Sequence, residues 1–281
     1  NRIILGSGSD EVLLFAALAF CQDGDEILHA NHGFEMYSIV SKVVGAVPKK
    51  IKEDVNFNLN IENLIDQTND ATKVIYIASP NNPTGTYLSR DQLVKLMNSI
   101  SKNIIVVIDG AYVEYVQKDD YDKGFSLTDE YENIILTRTF SKTYGLAALR
   151  VGWCYTSQKI ADIINKIKPP FNTTTISQSL AIKALEDKEH IENSVKLNSE
   201  IKDWFEKELK QLNIKTRQTE GNFTLIETSE EEAEKISNHL MNDGIIIRRL
   251  NSYNLPNFLR ISIGTKEEMN LTVESLKKFN V

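Results

Sequence analysis

The sequence predicts an α/β fold, with a mainly parallel sheet of about seven strands sandwiched by helices and a smaller α+β domain at the C-terminal end. Three observations carry that expectation. Helical and strand patterns alternate through the first two-thirds of the chain, as βαβ units do. The runs Val74-Ile75-Tyr76-Ile77-Ala78 and Ile104-Ile105-Val106-Val107-Ile108 are continuously apolar, as strands covered on both faces must be. After Lys168-Pro169-Pro170 the pattern turns to long charged helices and short strands, which sets a large domain at residues 1–168 and a small one at 169–281.

In chain order, helices are expected over Ser9–Cys21, Phe34–Val44, Ile61–Thr68 and Ser89–Ser101. Between them lie strand patterns at Glu26–Ala30, Val47–Ile51, Lys73–Ala78 and Ile104–Asp109, followed by Asn133–Arg138 and Val151–Tyr155. Beyond the proline pair, helices Ser177–Asp187 and His190–Leu212 precede short strands near Lys215 and over Phe223–Glu227, Ile245–Arg249 and Phe258–Ile263. In open α/β sheets, ligands gather outside the carboxyl ends of the strands. The polar groups at such ends are Ser9 and Asp10, Asn82, Asp109 and Lys142, which makes them the first candidates for a site.

With 39 acidic and 32 basic residues the chain has a net charge of −7 and no long run of one sign, which argues against a nucleic-acid-binding surface. Any anion site is then built locally. Cys21 and Cys154 sit in apolar stretches without CxxC spacing and read as buried thiols of a cytoplasmic protein, not as a disulfide or a metal site. The longest apolar run, Val12 to Cys21, falls short of the ~20 residues that a bilayer requires and reads as a buried helix. The opening, Asn1-Arg2-Ile3-Ile4-Leu5 and then a Gly/Ser turn, lacks a secretory pattern.

Several segments pair a plain structural reading with a chemical one. Ser79-Pro80-Asn81-Asn82-Pro83-Thr84-Gly85 is a rigid turn after a buried strand, able to aim an amide side chain, yet by itself only a turn. Asp109 ends an apolar run, where a carboxylate is desolvated unless it meets a cation or a strong donor; an isolated strand-end aspartate is more simply a cap. Ser9-Asp10-Glu11 after Gly8 reads both as an ordinary helix cap and as a helix N-terminus open to phosphate. The stretch from Arg138 to Gly152 is more specific. Thr139, Ser141, Lys142 and Arg150 bring together hydroxyls, a primary amine and a guanidinium, groups that suit a dianionic phosphate and an aldehyde.

Read in order, Gly8-Ser9-Asp10-Glu11, Asn82-Pro83-Thr84-Gly85, Asp109-Gly110-Ala111-Tyr112, Ser141-Lys142, Arg150 and Phe258-Leu259-Arg260-Ile261-Ser262-Ile263-Gly264 resemble the fold-type I aminotransferases, and within them the histidinol-phosphate aminotransferases. The resemblance spans most of the chain. It implies pyridoxal 5′-phosphate (PLP) as cofactor, and transfer of an amino group from histidinol phosphate to 2-oxoglutarate to give imidazole acetol phosphate and glutamate in histidine biosynthesis. It implies Lys142 as the residue that carries PLP as a Schiff base and then serves as general base and acid, and Asp109 as the partner of the pyridine nitrogen. Asn82 and Tyr112 are implied as donors to the ring's phenolate oxygen, and Phe34 as the ring stacked on it. Ser9, Asp10, Thr139, Ser141 and Arg150 are implied to cup the phosphate. Arg260 is implied to grip the substrate's acidic group beside Asn82, and Arg248 to help hold a substrate phosphate.

The same resemblance implies a homodimer working on small molecules, while charge, apolar run length and cysteine spacing argue against nucleic acid, membrane and metal. Two positions depart from the family: Gly110 stands where many relatives carry Glu, and Phe34 where many carry Tyr. Neither removes a group that the chemistry needs. The family also carries a segment ahead of the phosphate turn, including a tyrosine that reaches the neighbouring subunit's cofactor, so the sequence is expected to be part of a longer chain, the alternative being a shortened homologue of impaired activity. Aromatic amino-acid aminotransferases and threonine-phosphate decarboxylases share the same cofactor set. A PLP-sensing transcription regulator would need a basic DNA-binding domain, and this acidic chain shows none.

Overall fold

A computed structural model describes residues 2–279. Seven strands form the larger sheet: β1 Ile3–Gly6, β2 Glu26–Ala30, β3 Val47–Ile51, β4 Thr72–Ala78, β5 Ile105–Asp109, β6 Ile134–Thr139 and β7 Gly152–Thr156, in the spatial order β1-β7-β6-β5-β4-β2-β3. The five from β3 to β6 run parallel, β7 is antiparallel to β6, and β1 is antiparallel to β7. Two reversals therefore bring the start of β7 and the end of β1 to the same edge as the carboxyl ends of β4, β5 and β6. The registers Ala78–Asp109, Asp109–Thr137, Thr139–Gly152 and Gly6–Gly152 align that edge residue by residue.

Helices α1 Ser9–Phe20, α2 Met36–Val43, α3 Ile61–Asp66, α4 Arg90–Ser99, α5 Phe125–Glu130 and α6 Gln158–Ile167 flank this sheet. One face packs α1, α2 and α6 through Leu13, Phe15, Val40 and Ile164 against Tyr76 and Val107, and the other packs α3, α4 and α5 through Leu64, Leu96 and Leu127 against Ile75 and Val106. With both faces covered, β5 is buried at every position, which is why its sequence shows no alternation. The apolar run after Asp10 becomes α1, whose acidic first turn complements the helix dipole.

The rest of the chain comprises α7 Thr175–Glu186, α8 Lys188–Gln211, β8 Lys215–Arg217, β9 Phe223–Glu227, α9 Glu230–Asn242, β10 Arg248–Leu250, β11 Leu255–Ser262 and α10 Lys266–Phe279. Its four strands form an antiparallel sheet in the order β10-β11-β9-β8. One face of that sheet packs on α8, α9 and α10 around Phe205, Leu240, Leu259 and Leu276. α7 leans the other way, with Ala181 packed on Phe140 and Val151. Among the described residues no helix is long and apolar enough to cross a membrane.

The structure departs from the sequence expectation in several places. β1, α5, α6, α9 and α10 lie in stretches that the patterns left unassigned; β1 and α5 are too short for periodicity to register. The expected strand over Ile245–Arg249 begins only at Arg248, because the Ile245 N–H turns back to the Leu240 carbonyl to close α9 through Gly244, at φ 80°. Ile246 is consequently 88% exposed despite its apolar neighbours. Cys21 is only half-buried, unlike Cys154; burial raises each thiol to about 12.

Phe57 ties the two sheets together. It sits at φ 65° in the loop before α3, where the Asp54 carboxylate accepts the N–H groups of Asn56 and Asn58 at 2.8 and 2.9 Å. Its ring enters the second face of the small sheet among Leu225, Leu250 and Tyr253 and meets Phe258 edge-on at 5.2 Å. Deleting such a buried aromatic leaves a void between the two layers. Phe57→Ala is expected to lower stability by about 3 kcal/mol or more, read from the urea midpoint; a loss below about 1 kcal/mol would show that the loop is not a structural tie.

Candidate active site

The aligned strand edge opens into a cavity of about 140 Å³. Its buried carboxylate is Asp109, the last residue of β5 and 5% exposed. Thr137, directly across on β6, donates its hydroxyl to Oδ1 at 2.8 Å, and Tyr37 of α2 donates its phenol to Oδ2 at 2.9 Å. Burial pushes the Asp109 carboxyl up from the usual carboxylate range, while the two hydroxyl donors pull it back, Asp10 adds to the rise and Arg138 opposes it.

Lys142 follows β6 in the turn that leads to β7 and lines the same cavity, with Nζ 5.3 Å from the centroid of the Tyr112 ring. Tyr112 is buried and rests edge-on against Phe223 of β9 at 5.5 Å, so the small sheet supports this wall. Phe34 lines the cavity beside Tyr37, at 5.9 Å and 89° between ring planes. Asn82 accepts a hydrogen bond from Arg260 Nη1 of β11 at its Oδ1, which leaves its NH₂ as the end available to a ligand.

At the other end α1 begins on Gly8 without a side-chain cap, so the plain capping expected of Ser9-Asp10-Glu11 is absent. Glu11 instead accepts the Ser7 N–H at 2.7 Å. The first-turn N–H groups of α1 stay open beside Ser9 and Asp10, both on the cavity wall. Arg150, in a left-handed conformation at φ 48°, donates to the Ala147 carbonyl at 3.0 Å and to Asp10 Oδ2 at 3.2 Å. Thr139 and Ser141 complete this end, with the Ser141 N–H donating to Thr139 Oγ1 at 3.1 Å.

All ten residues expected at the cofactor thus line one cavity, while the two expected substrate arginines lie outside its wall. Arg260 stands at the rim through Asn82, its guanidinium 5.1 Å from the Phe223 ring centroid and its buried Nε without a hydrogen-bond partner among the described residues. Arg248 is its register partner on β10, but its side chain is 53% exposed and lies 3.8 Å from Glu35. The sequence reading passed over Tyr37, although it follows Phe34 by one turn, with its N–H on the Phe34 carbonyl at 3.0 Å. Gly110 has a steric reason: a Cβ there would stand 2.1 Å from Nη1 of the buried Arg138.

The donor set fits PLP. A primary amine, a buried carboxylate and an uncapped helix N-terminus suit in turn its aldehyde, its protonated ring nitrogen and its phosphate. A Cβ on Gly8 would lie 2.4 Å from Arg150 Nη2, and the backbone there has φ 80°, so glycine suits both the turn and the approach of the guanidinium to the phosphate end. This fold and cavity define a PLP-dependent transferase of fold type I. More narrowly, the chain belongs to the class I and II aminotransferase family, whose profile, "Aminotransferase class I and II", matches residues 1–276; it is a PLP-dependent transaminase acting on small amino and oxo acids.

Among the similar proteins is the histidinol-phosphate aminotransferase of Pelagibacter ubique, 40% identical over 284 residues that cover 100% of this chain and 79% of that one. The enzyme of the same name from Roseobacter denitrificans is 38% identical over 280 residues, 99% of this chain and 77% of its own. The fold matches the crystal structure of histidinol-phosphate aminotransferase from Sinorhizobium meliloti in complex with pyridoxal-5′-phosphate, with a TM-score of 0.91 at 24% identity over 99% of this chain and 77% of that one.

Gly8 combines φ 80° with the close approach of Arg150. Gly8→Ala is expected to lower the stability of the cofactor-free protein by about 1–3 kcal/mol, measured by urea denaturation. An unchanged midpoint would show that Arg150 has another place to go.

Proposed function

We propose that this chain transfers the amino group of histidinol phosphate to 2-oxoglutarate, with residues 1–168 as the cofactor-binding domain and 169–281 as the domain that brings the substrate arginines. When bound, PLP supplies an aldehyde and an electron-poor ring that takes up the electron pair released as the substrate's Cα–H bond breaks. Lys142 would carry the cofactor and, once the incoming substrate amine has displaced it from the aldehyde carbon, its freed Nζ would take the proton from the substrate Cα. Asp109 holds the proton on the pyridine nitrogen. Asn82 and Tyr112 donate to the ring's phenolate oxygen, and Phe34 packs on the ring. Ser9, Asp10, Thr139, Ser141 and Arg150 hold the cofactor phosphate, where the backbone N–H groups at the start of α1 carry the positive end of the helix dipole.

The observation that carries the substrate choice is the pairing of two guanidinium groups. Arg248 and Arg260 are register partners on β10 and β11, which puts them on one side of the sheet, and Arg260 bonds Asn82. A carboxylate is satisfied by one arginine fork, whereas a phosphate offers three acceptor oxygens and close to two charges, enough for both. The partly unsatisfied guanidinium of Arg260 is the inner member, and the half-exposed Arg248, now near Glu35, is the outer one. Relatives that carry the name histidinol-phosphate aminotransferase favour the same choice.

A homodimer belongs to this reading. Ile176 on α7 is 67% exposed, and Leu180 and Ile182 on the same helix are 43% and 59% exposed, an apolar surface that a second copy would cover. Two free thiols suit a reducing cytoplasm.

Substrate choice is tested by Arg248→Ala. Losing one charge-assisted contact at a half-exposed site is expected to lower kcat/KM for histidinol phosphate about tenfold, with little change for phenylalanine, which carries only a carboxylate. Equal losses on the two substrates would contradict the phosphate role of Arg248 and with it the assignment of histidinol phosphate.

A further inference from the structure

We propose that Tyr37 is a positioning residue for the reaction: its phenol orients the Asp109 carboxylate and keeps it ionised, so that the cofactor's ring nitrogen stays protonated. The proposal rests on the reading of Asp109 as the partner of that nitrogen. Both side chains are almost fully buried, at 1% and 5% exposure, and the phenol lies 2.9 Å from Oδ2. The ring itself is fixed from two sides. Tyr76 of β4 stacks on it at 4.9 Å and 2° between planes, and Phe34 meets it edge-on at 5.9 Å. Tyr76 is in turn pinned by its own hydroxyl on the Leu13 carbonyl at 2.7 Å.

The geometry leaves room for the role. Thr137 takes one lone pair of Oδ1 and Tyr37 one of Oδ2, and each oxygen keeps another, so the carboxylate still has a free acceptor for a protonated ring nitrogen. A core aromatic at this place would need only a phenylalanine. The hydroxyl, by contrast, answers a specific electrostatic need, because a carboxylate this buried loses its charge unless donors stabilise it.

Tyr37 from α2 touches Asp109 directly, Asp10 from α1 and Arg138 from β6 act on it through their charge, and Lys142 and Arg150 line the same cavity; Tyr76 and Tyr253 stand near Tyr37. Burial and Asp109 hold the Tyr37 phenol well above its ordinary value, so it remains a donor throughout the working pH range. The sign follows directly. Donors lower the proton affinity of a carboxylate, so removing one raises it, and the ionised fraction falls first at low pH.

The experiment measures the PLP dissociation constant, by titrating cofactor-free protein and following the cofactor absorbance, from about pH 6 to about pH 9. The rate of the half-reaction with the amino donor is followed in parallel. Tyr37→Phe is expected to weaken PLP about ten- to a hundredfold at the acid end and less at the alkaline end, with the acid limb of the rate moved to higher pH. Tyr76→Phe, which removes a neighbouring hydroxyl that does not touch Asp109, is expected to keep the wild-type pH dependence. A ring-fluorinated tyrosine at position 37, a stronger donor of the same shape, is expected to move the limb to lower pH and serves if Tyr37→Phe does not fold.

A Tyr37→Phe protein with PLP affinity within about twofold of wild type over the whole range, and an unmoved limb, would overturn the proposal and leave Tyr37 as packing. Asp109→Asn separates the two levels. If it too binds and reacts as wild type, the reading of Asp109 fails and this inference falls with it. If it is impaired while Tyr37→Phe is not, only the role of Tyr37 is lost.

Discussion

A carboxylate buried at the end of the central strand β5 is the constraint on which the rest of the site depends. Asp109 has too little contact with water to hold a charge alone, so the fold must bring donors to it. Thr137 arrives because β6 lies beside β5 in matched register, and Tyr37 because α2 packs on the sheet face that Tyr76 presents. The same edge gathers the amine of Lys142 and the N-terminus of α1, through the two strand reversals that place β7 and β1 beside β6. Chemistry here is a consequence of sheet order.

A second dependence crosses between the two sheets. Phe57 reaches from the large sheet's loop into the small sheet's apolar face, Phe223 of β9 supports Tyr112, and Arg260 of β11 holds Asn82. The backbone joins in, with the Glu220 N–H on the Gly85 carbonyl at 2.8 Å. The contacts of Tyr112, Asn82 and Gly85 tie the cavity and the turn beside it to the small domain. Motion of that sheet would therefore be felt at Tyr112 and Asn82, the pair proposed to govern the cofactor's phenolate oxygen.

How far the sequence reveals this differs from element to element. Parallel strands were legible because full burial writes itself as unbroken Val and Ile, as in β4 and β5, and the residues at their ends follow from that. Asn82 and Lys142 stood out as polar groups at strand ends, but their particular roles at the cofactor came from the family's motifs, since position and composition alone also allow a plain turn or a solvated charge. Tyr37 was not legible. A tyrosine in an amphipathic helix reads as core, and its hydroxyl becomes meaningful only when tertiary packing puts it 2.9 Å from a carboxylate seventy-two positions away. The strand at Arg248 was misplaced for a related reason: three isoleucines look like a strand, but the backbone of Ile245 is committed to closing α9.

In this site the amine of Lys142 holds the cofactor, as we propose, in a cavity built on Asp109. Borohydride reduction of the PLP-loaded protein fixes the cofactor to whichever amine carries it, and peptide mapping by mass spectrometry then locates the attachment. One modified residue, Lys142, is expected, with no label in Lys142→Ala. A label on any other lysine, or an equal yield of label in Lys142→Ala, would contradict it.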